Sequence, residues 1–228
     1  IGHLLDDWVL ELVDDSSKIV VVDKNIPLRE FESDDHHGHN QNDQAEHDVE
    51  KQISEQYDPH YWLDPRNAKV IANSITEELV LLDPTNQSHY KKNLHSFEDE
   101  IDTLYNEQLA LMESIRHIPF MTMHDAWFYY AEAFDLNLVG TFNPSGSENP
   151  TPKYLESLQE LIQHHEVKAI FNEPQLPVSG LLAFIADNGL SLGILDPLSG
   201  MHGIEVYSHL IRKNSKELIS TLKSSEVN

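Results

Sequence analysis

The sequence has no cysteine. Disulfides and thiolate zinc sites are therefore excluded, so any metal held by this chain sits on imidazole and carboxylate. Basic residues are scarce, 15 Lys and Arg against 39 Asp and Glu, for a formal net charge of −24. Phosphate backbones need a basic surface, so nucleic acid is excluded as a partner. The same imbalance creates a field that attracts cations. No apolar run approaches the roughly 18 residues of a membrane-spanning helix. The HExxH helix, the GxSxG elbow, the Walker loop and GxGxxG are all missing, which removes the commonest hydrolase and nucleotide-binding motifs. A charged-then-apolar leader is missing too. The chain opens Ile1-Gly2-His3-Leu4-Leu5, reads like the middle of a domain, and is expected to be a fragment or processed form with earlier strands missing.

What is present begins with periodicity. A length of 228 residues allows one large domain or two small lobes. Leu4, Leu5, Trp8, Val9 and Leu12 recur at helical spacing over 3–13. Ile19-Val20-Val21-Val22 is a continuous apolar run, which predicts a buried parallel strand. Asp64-Pro65 supplies an N-cap and a proline at the first helical position. Ala68, Ile71, Ile75, Leu79 and Leu82 mark one face of the helix that follows. Asp83-Pro84 repeats the start signal, and apolar residues from Tyr90 to Ile115 then step by three and four, with no Gly or Pro before Pro119. This predicts a helix of about 30 residues and about 45 Å, long enough to be the spine of a two-lobed molecule. Beyond Pro119, strands are expected at 120–123, 136–140, 167–171 and 192–195. Helices are expected at 125–134, 153–164, 180–187 and 204–222, with Gly189 as a C-terminal cap. The alternation predicts an α/β fold with a parallel sheet covered on both faces.

One stretch breaks the rhythm. Residues 30–50 hold Glu30, Glu32, Asp34, Asp35, Asp43, Glu46, Asp48 and Glu50 with His36, His37, His39 and His47, and no Lys or Arg. It has almost nothing to bury, so a loop is expected. Histidine is uncommon in ordinary linkers, and these four read as an auxiliary metal-contacting group.

Ligands of open parallel sheets bind beyond the carboxyl ends of the strands. The polar residues there are His124, Glu173 and Asp196, each after a different strand. Imidazole with carboxylate suits a borderline metal such as zinc. His60, between Pro59 and the helix at Pro65, is a further donor from the other lobe. A structural reading stands beside each: His60 packing with Tyr61 and Trp62, His124 capping a helix, and Asp64, Asp125 and Asp196 as cap or turn residues, the reading preferred for the first two. Glu173 fits behind a ligand better than as one. In a metallohydrolase it would be the base beside a metal-bound water. His89 and His95 read as surface, and His164-His165 as a cationic helix end.

Four segments carry a resemblance: Asp58-Pro59-His60-Tyr61-Trp62-Leu63-Asp64-Pro65, His124-Asp125-Ala126-Trp127-Phe128-Tyr129-Tyr130, Phe171-Asn172-Glu173-Pro174-Gln175 and Leu195-Asp196-Pro197-Leu198. In order and separation they resemble the zinc-specific substrate-binding proteins of bacterial ABC transporters, the ZnuA-like group related to TroA-like metal binders. The acidic, histidine-rich loop looks like that of the zinc members. The resemblance implies two α/β lobes, each with a mainly parallel sheet flanked by helices, joined by a long rigid helix with the metal at their interface. The expected domains are an incomplete N-terminal lobe over 1–83, a linking helix over 84–117 and a C-terminal lobe over 118–228. His60 and His124 carry over as ligands and Asp196 as a carboxylate ligand or near-ligand. Histidine at position 124 looks like the zinc choice, where manganese members tend to use a carboxylate. A manganese-binding homologue is the alternative within the family. Its members have a further ligand histidine upstream, which this sequence does not contain, and His3 is not at the matching position. The resemblance also implies a non-enzymatic, monomeric protein that captures Zn²⁺ and delivers it to a membrane permease. Such a protein is periplasmic, or lipid-anchored on the outer face of the cell membrane. The rivals from other classes are a metal-dependent hydrolase and a histidine-rich adhesion module. Since a protonated imidazole has no lone pair to give, acidification through the ordinary histidine range near 6.5 is expected to release the metal.

Overall fold

The structure is a computed structural model that describes residues 12–30, 57–142, 151–179, 182–200 and 206–226. By packing, the chain divides into two units, Ile1–Trp62 with Asn67–Phe97, and Leu63–Arg66 with Glu98–Asn228. The predicted N-terminal helix and the histidine-rich loop, with His36, His37, His39 and His47, lie outside the described residues apart from their margins.

In the first unit, Glu30 and Tyr57 form an antiparallel bridge, and the Asp58 N–H donates to the Arg29 carbonyl at 2.8 Å. The strand expected at Ile19–Val22 does not form; these residues are half-buried and irregular. A continuous apolar run signals a strand covered on both faces, and these four residues are only half-covered. Helix α1 runs Pro65–Leu82, starting at its proline as expected. Asp64 caps it: Oδ1 accepts the Arg66 N–H at 2.8 Å, and the carboxylate also takes the Arg66 Nη2 at 2.7 Å. Its apolar face has the right period but is only partly covered. Ala68 is buried, whereas Ile75 and Leu82 are 44% and 79% exposed.

A 3-10 turn at Pro84–Asn86 leads into helix α2, Gln87–Met112. Asp83 ties the entry together, accepting from Asn86 Nδ2 at 2.7 Å and from the Tyr90 hydroxyl at 2.9 Å. At 26 residues α2 spans about 39 Å, a little shorter than its sequence suggests, because residues 113–118 continue as turns.

The second unit holds a four-stranded, wholly parallel sheet in the order β2-β1-β3-β4. The strands are β1 Phe120–Thr122, β2 Leu138–Thr141, β3 Ala169–Asn172 and β4 Ser191–Ile194. The helices are α3 Phe128–Ala133, α4 Pro152–His165, α5 Leu182–Asp187 and α6 Tyr207–Ser225. Strand and helix therefore alternate as the sequence predicts, and parallel pairing follows because each crossover carries a helix. Met121, Phe142, Leu158, Ile162 and Ile170 form part of one core cluster. Across the β1–β3 pair, Phe120 and Phe171 pack edge to face at 5.5 Å. Gly193 is required on β4, since a Cβ there would overlap the Phe171 ring. Gly189, at φ +63°, closes α5 as the expected C-terminal cap.

Candidate metal centre

Sheet register builds one half of the site. β1 and β3 are neighbours, with Thr122 opposite Phe171, and the Met123 N–H donates to the Phe171 carbonyl at 2.7 Å. The chain leaving β1 therefore sets His124 beside Glu173, which leaves β3. His124 Nδ1 lies 3.3 Å from Glu173 Oε1, and the same oxygen accepts the Trp127 indole N–H at 3.1 Å. Glu173 and Trp127 are both buried. The backbone of His124 is extended and stands at the N-cap of a 3-10 turn, Asp125–Trp127, without a side-chain cap bond. Its ring is turned to Glu173 instead. Its carbonyl accepts the Thr122 hydroxyl at 2.8 Å.

Asp125 takes the turn role expected of it. It is the first residue of the turn and not the cap, and its Oδ1 lies 3.2 Å from His124 Nε2. The His124 ring thus sits between two carboxylates.

β4 carries the third strand-end residue. Asn172 pairs with Ile194, and the Leu195 N–H donates to the Asn172 carbonyl at 2.9 Å. Asp196 follows, at 1% exposure. Its Oδ1 accepts the Leu198 N–H at 3.0 Å and the Gln175 amide at 3.4 Å. His124, Glu173 and Asp196 thus leave the carboxyl ends of three adjacent strands.

His60 belongs to the first unit. Asp58 Oδ1 accepts the His60 backbone N–H at 2.9 Å and lies 2.7 Å from its Nδ1. A carboxylate at that distance from Nδ1 accepts, so Nδ1 carries the proton, and the tautomer this favours in a neutral ring keeps the lone pair on Nε2. The ring packs against Trp62, with centroids 5.3 Å apart. Packing and carboxylate bracing coexist here, so the structural reading of His60 does not exclude the ligand one. Among the described residues, no three or more His, Cys, Asp or Glu side chains are gathered closely enough to hold a metal ion. What the geometry displays is His60 and His124 each with a buried carboxylate beside Nδ1.

Sequence reasoning missed Asp58, whose only signal is a carboxylate two residues before a histidine. It also missed Trp127 and Asn214 as partners of site residues. His89, His95, His164 and His165 are exposed, as expected. No helix among the described residues is long and apolar enough to cross a membrane.

The chain is similar to several known proteins. The high-affinity zinc uptake system protein ZnuA of Brucella abortus is 28% identical over 165 residues, 72% of this chain and 49% of the relative. The chain spans about half the length of the curated relatives it matches. Among solved structures, a mutant of the laminin-binding adhesin (Lmb) from Streptococcus agalactiae is 26% identical with a TM-score of 0.76, over 96% of this chain and 79% of that one. A Zn(II)-bound AdcAII mutant variant of Streptococcus pneumoniae is 26% identical with a TM-score of 0.74, over 96% and 77%. The model of the ZnuA family, described as zinc-uptake complex component A, periplasmic, matches residues 1–221, and the chain belongs to that family.

Proposed function

We propose that this chain is the zinc-capturing, solute-binding part of an ABC transporter, and that it delivers Zn²⁺ to a membrane permease. The observation that carries this reading is the pairing of each histidine with a buried carboxylate on Nδ1, Asp58 for His60 and Glu173 for His124. Metal-ligating histidines are held this way, with the second nitrogen presented to the ion. His60 and His124 bind zinc through Nε2, and Asp196 offsets its charge. Glu173 stands behind His124 and does not touch the metal. The donor set contains no thiolate and suits zinc over manganese, for which oxygen ligands are the harder match.

The names of the relatives support the cargo: a high-affinity zinc uptake protein and a Zn(II)-bound AdcAII. In this reading residues 1–83 belong to an N-terminal lobe, 84–117 to a linking helix and 118–228 to a C-terminal lobe. The protein works as a monomer outside the cytoplasm, in a periplasm or anchored by lipid. His36, His37, His39 and His47 form a weak, multivalent trap that raises local zinc. A thermal-shift series with Zn²⁺, Mn²⁺ and Mg²⁺ at equal concentration tests the choice of metal, because a ligand that binds only the folded state raises Tm. Zinc should give the largest rise. A larger rise with manganese would favour the manganese-binding alternative.

A further inference from the structure

Asn214 is a polar side chain in the interior of the second unit, at 1% exposure in the middle of α6. A buried amide is costly unless its donor and acceptor are both matched. Here both are matched by a single residue. Asn214 Oδ1 accepts the Asp196 N–H at 2.9 Å, and Asn214 Nδ2 donates to the Asp196 carbonyl at 2.9 Å. This two-bond clasp holds the Asp196 main chain on both sides of its Cα. The side chain then has little freedom left, because Oδ1 is held by the Leu198 N–H and the Gln175 amide.

The helix that supplies the clasp is itself referenced to the other strand-end donor. Ser215, next to Asn214, is 2.8 Å from the Tyr130 hydroxyl, and its own hydroxyl donates to the Ile211 carbonyl at 2.8 Å. Tyr130 lies on α3, which begins directly after the turn that follows His124. One helix thereby fastens the loop bearing Asp196 through Asn214 and the helix behind His124 through Ser215.

We infer that Asn214 is a positioning residue for cation capture, holding the Asp196 carboxylate at the place where it meets the metal. This rests on the reading of Asp196 as a ligand. Asn214 acts only through Asp196 and does not touch the ion. Outer partners that orient a metal ligand are worth roughly 10–100-fold in affinity.

The test is a double-mutant cycle on the full chain, with Zn²⁺ affinity of the tightest site read by chelator competition, and Tm read alongside. Asn214→Ala should weaken zinc by about 10–100-fold, and Asp196→Asn should weaken it at least as much. The double variant should bind no more weakly than Asp196→Asn alone. Leu218→Ala, which loosens the same helix at a buried apolar side chain one turn beyond Asn214, should lower Tm while leaving zinc affinity within about twofold. If Asn214→Ala proves too unstable, Asn214→Asp keeps the size and replaces the donor that meets the Asp196 carbonyl. With Co²⁺ as the probe, the visible absorption of that variant should differ from the parent's. Unchanged affinity in a folded Asn214 variant, or the same loss in the Asp196→Asn background, overturns the inference and leaves the ligand reading standing. Unchanged affinity in Asp196→Asn overturns both.

Discussion

The carboxylate of Asp58 lies 2.7 Å from Nδ1 of His60 and accepts the backbone N–H of the same residue at 2.9 Å. One buried side chain thus fixes the main chain and the ring of this histidine. Asp58→Ala is expected to weaken zinc by about 10–100-fold, and Asp58→Asn by less, because the amide carbonyl still accepts from Nδ1–H. Chelator competition measures both. Parent-like affinity in Asp58→Ala would remove the brace from the account.

Glu173 Oε1 joins His124 to Trp127, so the indole senses what happens at the imidazole. Zinc at His124 should change tryptophan emission. The part of the change that comes from Trp127 should vanish in His124→Ala and in Trp127→Phe, leaving only what Trp62, packed on His60, contributes. An undiminished signal in Trp127→Phe would place its source elsewhere. Glu173→Gln should weaken zinc by about tenfold or more without abolishing it.

Asp64 is a stability residue. It accepts the Arg66 N–H at 2.8 Å in capping α1, while the Arg66 side chain is 49% exposed. Loss of the cap in Asp64→Ala should cost about 1–2 kcal/mol. Arg66→Ala should cost less than about 1 kcal/mol, since a solvent-facing ion pair contributes little. Urea unfolding of the two variants checks the order. The reverse order would mean that the ion pair, and not the cap, secures the start of the helix.

Burial pushes the Tyr130 hydroxyl well above the usual tyrosine value. A group raised in the folded state contributes stability that is fully present below its unfolded pKa, about 10, and lost as pH rises beyond it. Alkaline unfolding should therefore carry the ionisation of Tyr130, with the last phase of tyrosine absorbance change coinciding with loss of the circular dichroism signal. In Tyr130→Phe the alkaline fall in stability should be shallower. Complete ionisation of all eight tyrosines in a still-folded protein would contradict this.

The second unit was legible because its information is local and periodic. Short apolar runs separated by helical patterns define strands and crossovers, and the carboxyl ends of those strands mark where His124, Glu173 and Asp196 emerge. Ile19–Val22 shows the limit of that logic, since an apolar run signals a buried strand only where both its faces are covered, and these residues are half-buried. Similarly, α1 announces its apolar face through Ile75 and Leu82, but periodicity says nothing of what covers that face. The hydrogen-bonded partners of the site were hidden for another reason. Asp58, before a proline, reads as a turn residue, and Asn214 reads as an ordinary polar position on a helix. Their roles come from paired bonds to one residue each, and the Asn214–Asp196 contact joins residues 18 apart in sequence.

The central claim is that His60 and His124 hold one zinc ion. A calorimetric zinc titration of the chain lacking residues 34–48, beside the same chain carrying His60→Ala and His124→Ala, tests it most directly. The account predicts one tight site in the first and none in the second. A tight site that survives the double substitution would contradict it.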